Sequence, residues 1–87
     1  MPATAFDAKG LLMNSIFSED PTIIIEGRSL FSMKDSVPEA PYRVPFGQAI
    51  IRRSGTDVTV VSIGSMVPTA LRAAEQLQSE RISTEVI

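Results

Sequence analysis

An α/β fold, with partial parallel sheets and a βαβ unit in the C-terminal half, spanning the junction of two incomplete domains, is predicted from three observations. Thr22-Ile-Ile-Ile-Glu26 and Asp57-Val-Thr-Val-Val-Ser-Ile63 are rich in β-branched residues and run continuously apolar, as strands buried on both faces of a parallel sheet do. Two other segments, entered at Asp7 and at Met66, repeat apolar residues at helical spacing. Between the halves Pro38, Pro41 and Pro45 follow one another closely, which no regular element accommodates.

The first helix is expected from Asp7, a good N-cap, through Ala8, Leu11, Leu12, Ser15 and Ile16, and it should stop by Asp20 because Pro21 forces extended geometry on the residue before it. Gly10 inside that helix costs about 1 kcal/mol against alanine, so a close packing contact is its natural reason. Thr22–Glu26 reads as a covered strand broken by Gly27. No period is sustained from Arg28 to Pro45, and Ser36–Pro45 reads as an extended, partly polyproline connector and the best candidate for a domain boundary. Gln48–Arg53 is a modest strand closed by the turn signal Ser54-Gly-Thr-Asp57. Asp57–Ile63 is the strongest strand in the chain. A helix follows with Met66, Val67, Ala70, Leu71, Ala74 and Leu77 on one face, Ser65 as N-cap and Pro68 in the first turn, where its missing N–H does no harm. Ile82–Ile87 is β-prone again, and strand, helix, strand at this spacing is a βαβ unit with a right-handed crossover. Neither half is long enough for a two-faced sheet, so apolar patches should be left for something else to cover.

Composition narrows the chemistry. The 87 residues contain no cysteine, histidine or tryptophan. Disulfides and Cys/His zinc sites are excluded, as are the Ser/His and Cys/His nucleophile pairs. A formal charge of −2 is no footprint of nucleic acid or of an anionic membrane. With no long apolar run and no basic, hydrophobic leader at the N-terminus, the cytoplasm is the expected location.

Five segments in order carry a resemblance. They are Phe6-Asp-Ala-Lys-Gly-Leu-Leu12, Pro21-Thr-Ile-Ile-Ile-Glu26, the stretch Val37-Pro-Glu-Ala-Pro-Tyr-Arg-Val-Pro-Phe-Gly-Gln-Ala49, the stretch Asp57-Val-Thr-Val-Val-Ser-Ile-Gly-Ser-Met-Val-Pro-Thr-Ala-Leu71, and Ile82-Ser-Thr-Glu-Val-Ile87. Together they resemble the β subunit of the thiamine-diphosphate-dependent, decarboxylating component of 2-oxo acid dehydrogenase complexes, in the transketolase-like group. The resemblance implies that residues 1–46 correspond to the end of the pyrimidine-binding domain and 47–87 to the start of the C-terminal domain. It implies that the parent enzyme uses thiamine diphosphate and magnesium, decarboxylates a 2-oxo acid of pyruvate or branched-chain type and passes the acyl group to lipoamide, chemistry the cofactor performs. The family's cofactor-activating glutamate, its catalytic histidines and its diphosphate–magnesium site have no counterpart among these residues. The chain is therefore expected to be scaffold and subunit interface of the parent enzyme, binding no cofactor and turning over no substrate alone. The alternative is a truncated, non-catalytic paralogue acting as a self-associating or subunit-docking module. A homo-oligomer or the α subunit is the expected partner, with no nucleic acid and no membrane.

Some family members hold a structural potassium ion at the turn matching Ser15, Ile16, Ser18 and Asp20, mainly through main-chain oxygens, with a further ligand from residues not matched here; the resemblance implies an incomplete potassium site at these four. Carbonyls freed at a helix C-terminus suit a hard cation. Phe31, Met33 and Tyr42 lie where the family makes subunit contacts and are interface candidates. Glu26, at a strand end, is read as paired or solvated rather than catalytic. Gly64-Ser65 is read as a turn with an N-cap rather than a phosphate cradle, since no G-x-G-x-x-G and no following lysine accompany it. Arg28, Lys34, Arg43, Arg52 and Arg53 are interspersed with acids and read as a solvated surface.

Overall fold

The computed structural model describes residues 1–87. They form two compact units, Met1–Gln48 and Ala49–Ile87. The elements are helix α1 (Ala5–Ile16), a single 3-10 turn (Arg28–Leu30), strand β1 (Val58–Val60), helix α2 (Met66–Ser79) and strand β2 (Thr84–Val86). The fold is a small α/β arrangement whose two-stranded parallel sheet, β1 beside β2, is joined through α2 as a βαβ unit in the C-terminal half.

In the first unit α1 starts one turn earlier than the sequence suggests. Thr4, not Asp7, is the N-cap: its hydroxyl accepts the Asp7 N–H at 3.1 Å. Asp7 stands at the third helical position, and its carboxylate accepts the Ala3 N–H at 3.3 Å. The pair closes like a capping box displaced by one residue, and a carboxylate in the first turn also meets the positive end of the helix dipole. Gly10 has the close contact its presence implies. A Cβ there would lie 2.4 Å from Val44 Cγ2 and 2.9 Å from Tyr42 Cε2, and the Val44 N–H donates to the Gly10 carbonyl at 3.0 Å. The connector is thus bound to α1 along its length. Tyr42 stacks on Phe6 with ring centroids 4.4 Å apart, and its hydroxyl donates to the Phe6 carbonyl at 2.8 Å.

Thr22–Glu26 is not a strand. Extended backbone becomes a strand only when a neighbour accepts its hydrogen bonds, and no segment of this unit pairs with it; Ile23 is 89% exposed. The partial sheet expected of the N-terminal half is accordingly absent, whereas the 3-10 turn at Arg28–Leu30 falls in a stretch read as irregular.

In the second unit β1 and β2 pair in register Val58↔Thr84, Thr59↔Glu85 and Val60↔Val86. Gln48–Arg53 contributes only an isolated antiparallel bridge, Arg53 with Val86, instead of a strand. β1 is shorter and barer than the Asp57–Ile63 run predicts, with Val61 75% exposed, because β2 is its single neighbour. The core sits between α2 and β2. Ala74 and Val86 are fully buried, and Val67 nearly so; a fully buried valine contributes about 1.5–3 kcal/mol. Ser65 occupies the N-cap position of α2 without a side-chain cap bond. At the other end Ile82 N–H reaches the Leu77 carbonyl at 3.1 Å and Arg81 N–H the Gln78 carbonyl at 3.0 Å, the Schellman closure, with Arg81 at φ 64° where glycine is usual. Asp57 locks the turn before β1: its carboxylate accepts the Ser83 N–H at 2.7 Å while its own N–H donates to the Ser83 carbonyl at 2.9 Å. Gly55 lies directly against β2.

Three outcomes follow from this packing. Gly55→Ala places a Cβ 2.2 Å from the Glu85 nitrogen and the Thr84 carbonyl carbon, and backbone cannot yield as a side chain can, so a loss of about 3 kcal/mol or more is expected in denaturant melts. Arg81→Gly relieves the left-handed backbone and is expected to stabilise by about 0.5–1 kcal/mol, read as a higher thermal midpoint. Burial, then the Asp35 and Asp7 carboxylates, raise the Tyr42 phenol above its ordinary value of 10.0. Its neutral form is therefore favoured by folding: that contribution is complete below pH 10.0 and is lost as pH rises through the higher folded value. Tyr42 is the one tyrosine and there is no tryptophan, so phenolate absorbance reads this directly; a midpoint at or below that of free tyrosine would refute the packing.

Candidate functional site

The four residues matched to a potassium site lie where α1 ends. The Ser15 carbonyl accepts the Ser18 N–H at 3.1 Å, and the Ser15 hydroxyl turns back to the Leu11 carbonyl at 2.8 Å. Ser18 Oγ accepts the Asp20 N–H at 3.3 Å, and the Asp20 carbonyl accepts the Thr22 hydroxyl at 3.4 Å. Ser18 and Asp20 line an open cleft of about 400 Å³ together with Leu11, Thr22, Ile24 and Phe46, whereas Ser15 and Ile16 do not reach it. Carbonyl oxygens at a helix C-terminus carry partial negative charge, and here those of Ser15 and Asp20 already accept hydrogen bonds within the turn.

Of the interface candidates, the structure brings together Phe31 and Met33. Both emerge from the 3-10 turn, where Phe31 N–H bonds the Arg28 carbonyl at 3.2 Å and Met33 N–H the Leu30 carbonyl at 3.0 Å. They line a cavity of about 200 Å³ with Thr4, Ala8, Glu26 and Leu30, at the N-terminal end of α1. Phe31 is 69% exposed and Met33 is also exposed. Tyr42 stands apart from this cavity, half-buried on Phe6. The partnership of Tyr42 with Phe6 had no signal in the sequence, because nothing in residue order says that positions so far apart will stack.

Glu26 is exposed at the rim of the same cavity. At Gly64-Ser65 the Met66 and Val67 N–H groups are already donated, to the Ile63 and Gly64 carbonyls at 3.2 Å each. Gly64 has φ +55°. These amides are therefore spent within a tight turn instead of facing a phosphate. Arg43 lies over the Phe17 ring at 4.3 Å, and Arg53 bonds the Gln78 side chain at 2.6 Å. Arg43 and Arg53 thus serve separate local contacts.

No three of the acidic side chains gather as a group able to hold a metal ion. No helix is long and apolar enough to cross a membrane.

Comparison with known proteins bears on both halves of the chain. Residues 47–87 match the family described as transketolase, C-terminal domain. The chain is 42% identical over 88 residues to the pyruvate dehydrogenase E1 component subunit beta of Staphylococcus epidermidis, an alignment that takes in 100% of this chain and 27% of that protein. It is 44% identical over 87 residues to the acetoin:2,6-dichlorophenolindophenol oxidoreductase subunit beta of Bacillus subtilis, covering 100% of this chain and 25% of that one. The pyruvate dehydrogenase E1 component subunit beta of the same organism is 40% identical over 88 residues, again with 27% of its length spanned. The chain thus spans about a quarter of the length of these relatives. Residues 47–87 are thus similar to the transketolase C-terminal domain, within a chain similar over its whole length to the β subunits of pyruvate dehydrogenase and of acetoin oxidoreductase.

Proposed function

We propose that the chain acts as scaffold and subunit interface of a thiamine-diphosphate enzyme of the 2-oxo acid dehydrogenase type, without turnover of its own. In this reading residues 1–46 are the end of a pyrimidine-binding domain and 47–87 the start of the C-terminal domain. The observation that carries it is where the apolar surface lies. Ile23 and Ile25 in the first unit, and Val58, Val61 and Ile63 in the second, are exposed on segments whose composition is that of buried parallel strands. Such side chains gain about 25 cal/mol per Å² when covered, so they favour association with further layers of an α/β assembly. Phe31 and Met33 extend that surface around the cavity beside α1, and Tyr42 fixes the connector that carries the chain toward residue 47. Thiamine diphosphate, when bound, supplies the carbanion chemistry, and in this reading it and its magnesium are held by other parts of the assembly. The α subunit of the parent enzyme, or a second copy of this chain, is the partner. The main-chain oxygens of Ser15, Ile16, Ser18 and Asp20 contribute part of a potassium site that other residues complete.

The similarity to a pyruvate enzyme and to an acetoin enzyme is nearly equal, so the reading rests on the subunit role common to both. A second reading, a non-catalytic docking module, uses the same exposed surface but requires no enzyme around it.

The purified chain is expected to bind a naphthalene-sulfonate dye and to self-associate in light scattering, and Phe31→Glu or Val61→Glu should reduce both. With pyruvate, thiamine diphosphate, Mg²⁺ and dichlorophenolindophenol it should reduce no dye above the blank. It should co-purify with a pyruvate dehydrogenase α subunit when the rest of the β subunit is co-expressed; capture without those residues would favour the docking module. A dye-negative monomer, or turnover by the chain alone, would overturn the proposal.

A further inference from the structure

Lys9 is held in a way that its place on a helix does not require. Its ammonium donates to the carbonyls of Pro38, Glu39 and Ala40, the last two at 3.1 and 3.2 Å, and stands 5.1 Å from the centroid of the Tyr42 ring. An ammonium has three N–H donors and no acceptor, and here three successive main-chain carbonyls face it. The aromatic face adds the attraction of its quadrupole for a cation. These carbonyls belong to a proline-rich stretch which, with N–H groups missing at Pro38 and Pro41, has little chance of closing on itself through a regular ladder. Immediately beyond, Tyr42 stacks on Phe6 and Val44 bonds the Gly10 carbonyl, so the contacts from Pro38 to Val44 all reach one face of α1.

We propose that the Pro38, Glu39 and Ala40 carbonyls and the Tyr42 ring form a cation site whose resident ligand is the Lys9 ammonium, and that this tethered cation holds the connector on α1. The site selects by shape as well as charge. A tripod of N–H donors satisfies three carbonyls converging on one point, whereas the planar fork of a guanidinium does not. The recognition chemistry is that of a primary alkylammonium ion, so an untethered one should substitute for the missing side chain. Nothing in this depends on the enzyme reading above, and the test uses no turnover.

The experiment is hydrogen exchange on the whole 87-residue chain, following the Val44 amide, with the Ile82 amide in the other unit as internal reference. Lys9→Ala removes the side chain from Cγ to Nζ, and propylammonium replaces those atoms. Val44 exchange is expected to rise about tenfold in Lys9→Ala, the loss of one charge-assisted contact's worth, and to fall back several-fold on adding propylammonium. Tetramethylammonium, a cation without N–H donors, and sodium chloride at equal ionic strength should not restore it. Lys9→Met retains most of the apolar stem and should give the same loss at Val44 with Ile82 unchanged, which separates release of the connector from general unfolding. Lys9→Arg should recover only part of the protection. Unchanged Val44 exchange in Lys9→Met, or equal restoration by tetramethylammonium and propylammonium, would overturn the proposal.

Discussion

A parallel strand is held by its neighbours: its backbone groups must be paired along both edges and its side chains covered on both faces. That requirement orders the β-prone segments of this chain. β2 has β1 along one edge and the Arg53 bridge at Val86, with α2 against it, and its Thr84 and Val86 are fully buried. β1 has one neighbour and remains three residues long with its flanking valine and isoleucine bare. Thr22–Glu26 has none and forms no strand, although its residues are as β-prone as any in the chain.

The first unit is organised by different means. With no sheet to cover, α1 is fastened to the connector by close approach and by polar contacts. Gly10 lets Val44 come within reach of its carbonyl, the Phe6 and Tyr42 rings stack, and the Lys9 ammonium gathers carbonyls that the prolines leave without regular partners. The proline-rich stretch that reads as an extended connector is therefore docked on α1. Its prolines help, since a backbone with restricted φ loses less entropy on docking than a flexible one.

Sequence similarity and physical surface point in the same direction. The alignment runs through both units, and the uncovered apolar side chains lie on the segments that a larger α/β assembly would sandwich. Phe31 and Met33 gather at a cavity while Tyr42 turns inward to Phe6, so the three interface candidates divide into two with an open face and one that shapes the connector.

The sequence by itself determined what depends on a few neighbouring residues. Both helices are legible in the apolar spacing around Leu11 and around Ala74, the turn at Gly64 in its glycine, the βαβ unit in strand-helix-strand order, and the need for a close contact in Gly10. A cap is equally local, yet Thr4 outcompetes Asp7 because the hydroxyl one turn earlier reaches the Asp7 N–H and frees the carboxylate for Ala3. Tertiary structure alone decided which β-prone runs became strands, since propensity is a property of the run and pairing a property of its neighbours. It also decided that Lys9 meets the carbonyls of Pro38, Glu39 and Ala40 and that Tyr42 meets Phe6. Those contacts close across roughly thirty residues of chain, and no local pattern encodes which distant groups a fold will bring within hydrogen-bonding distance.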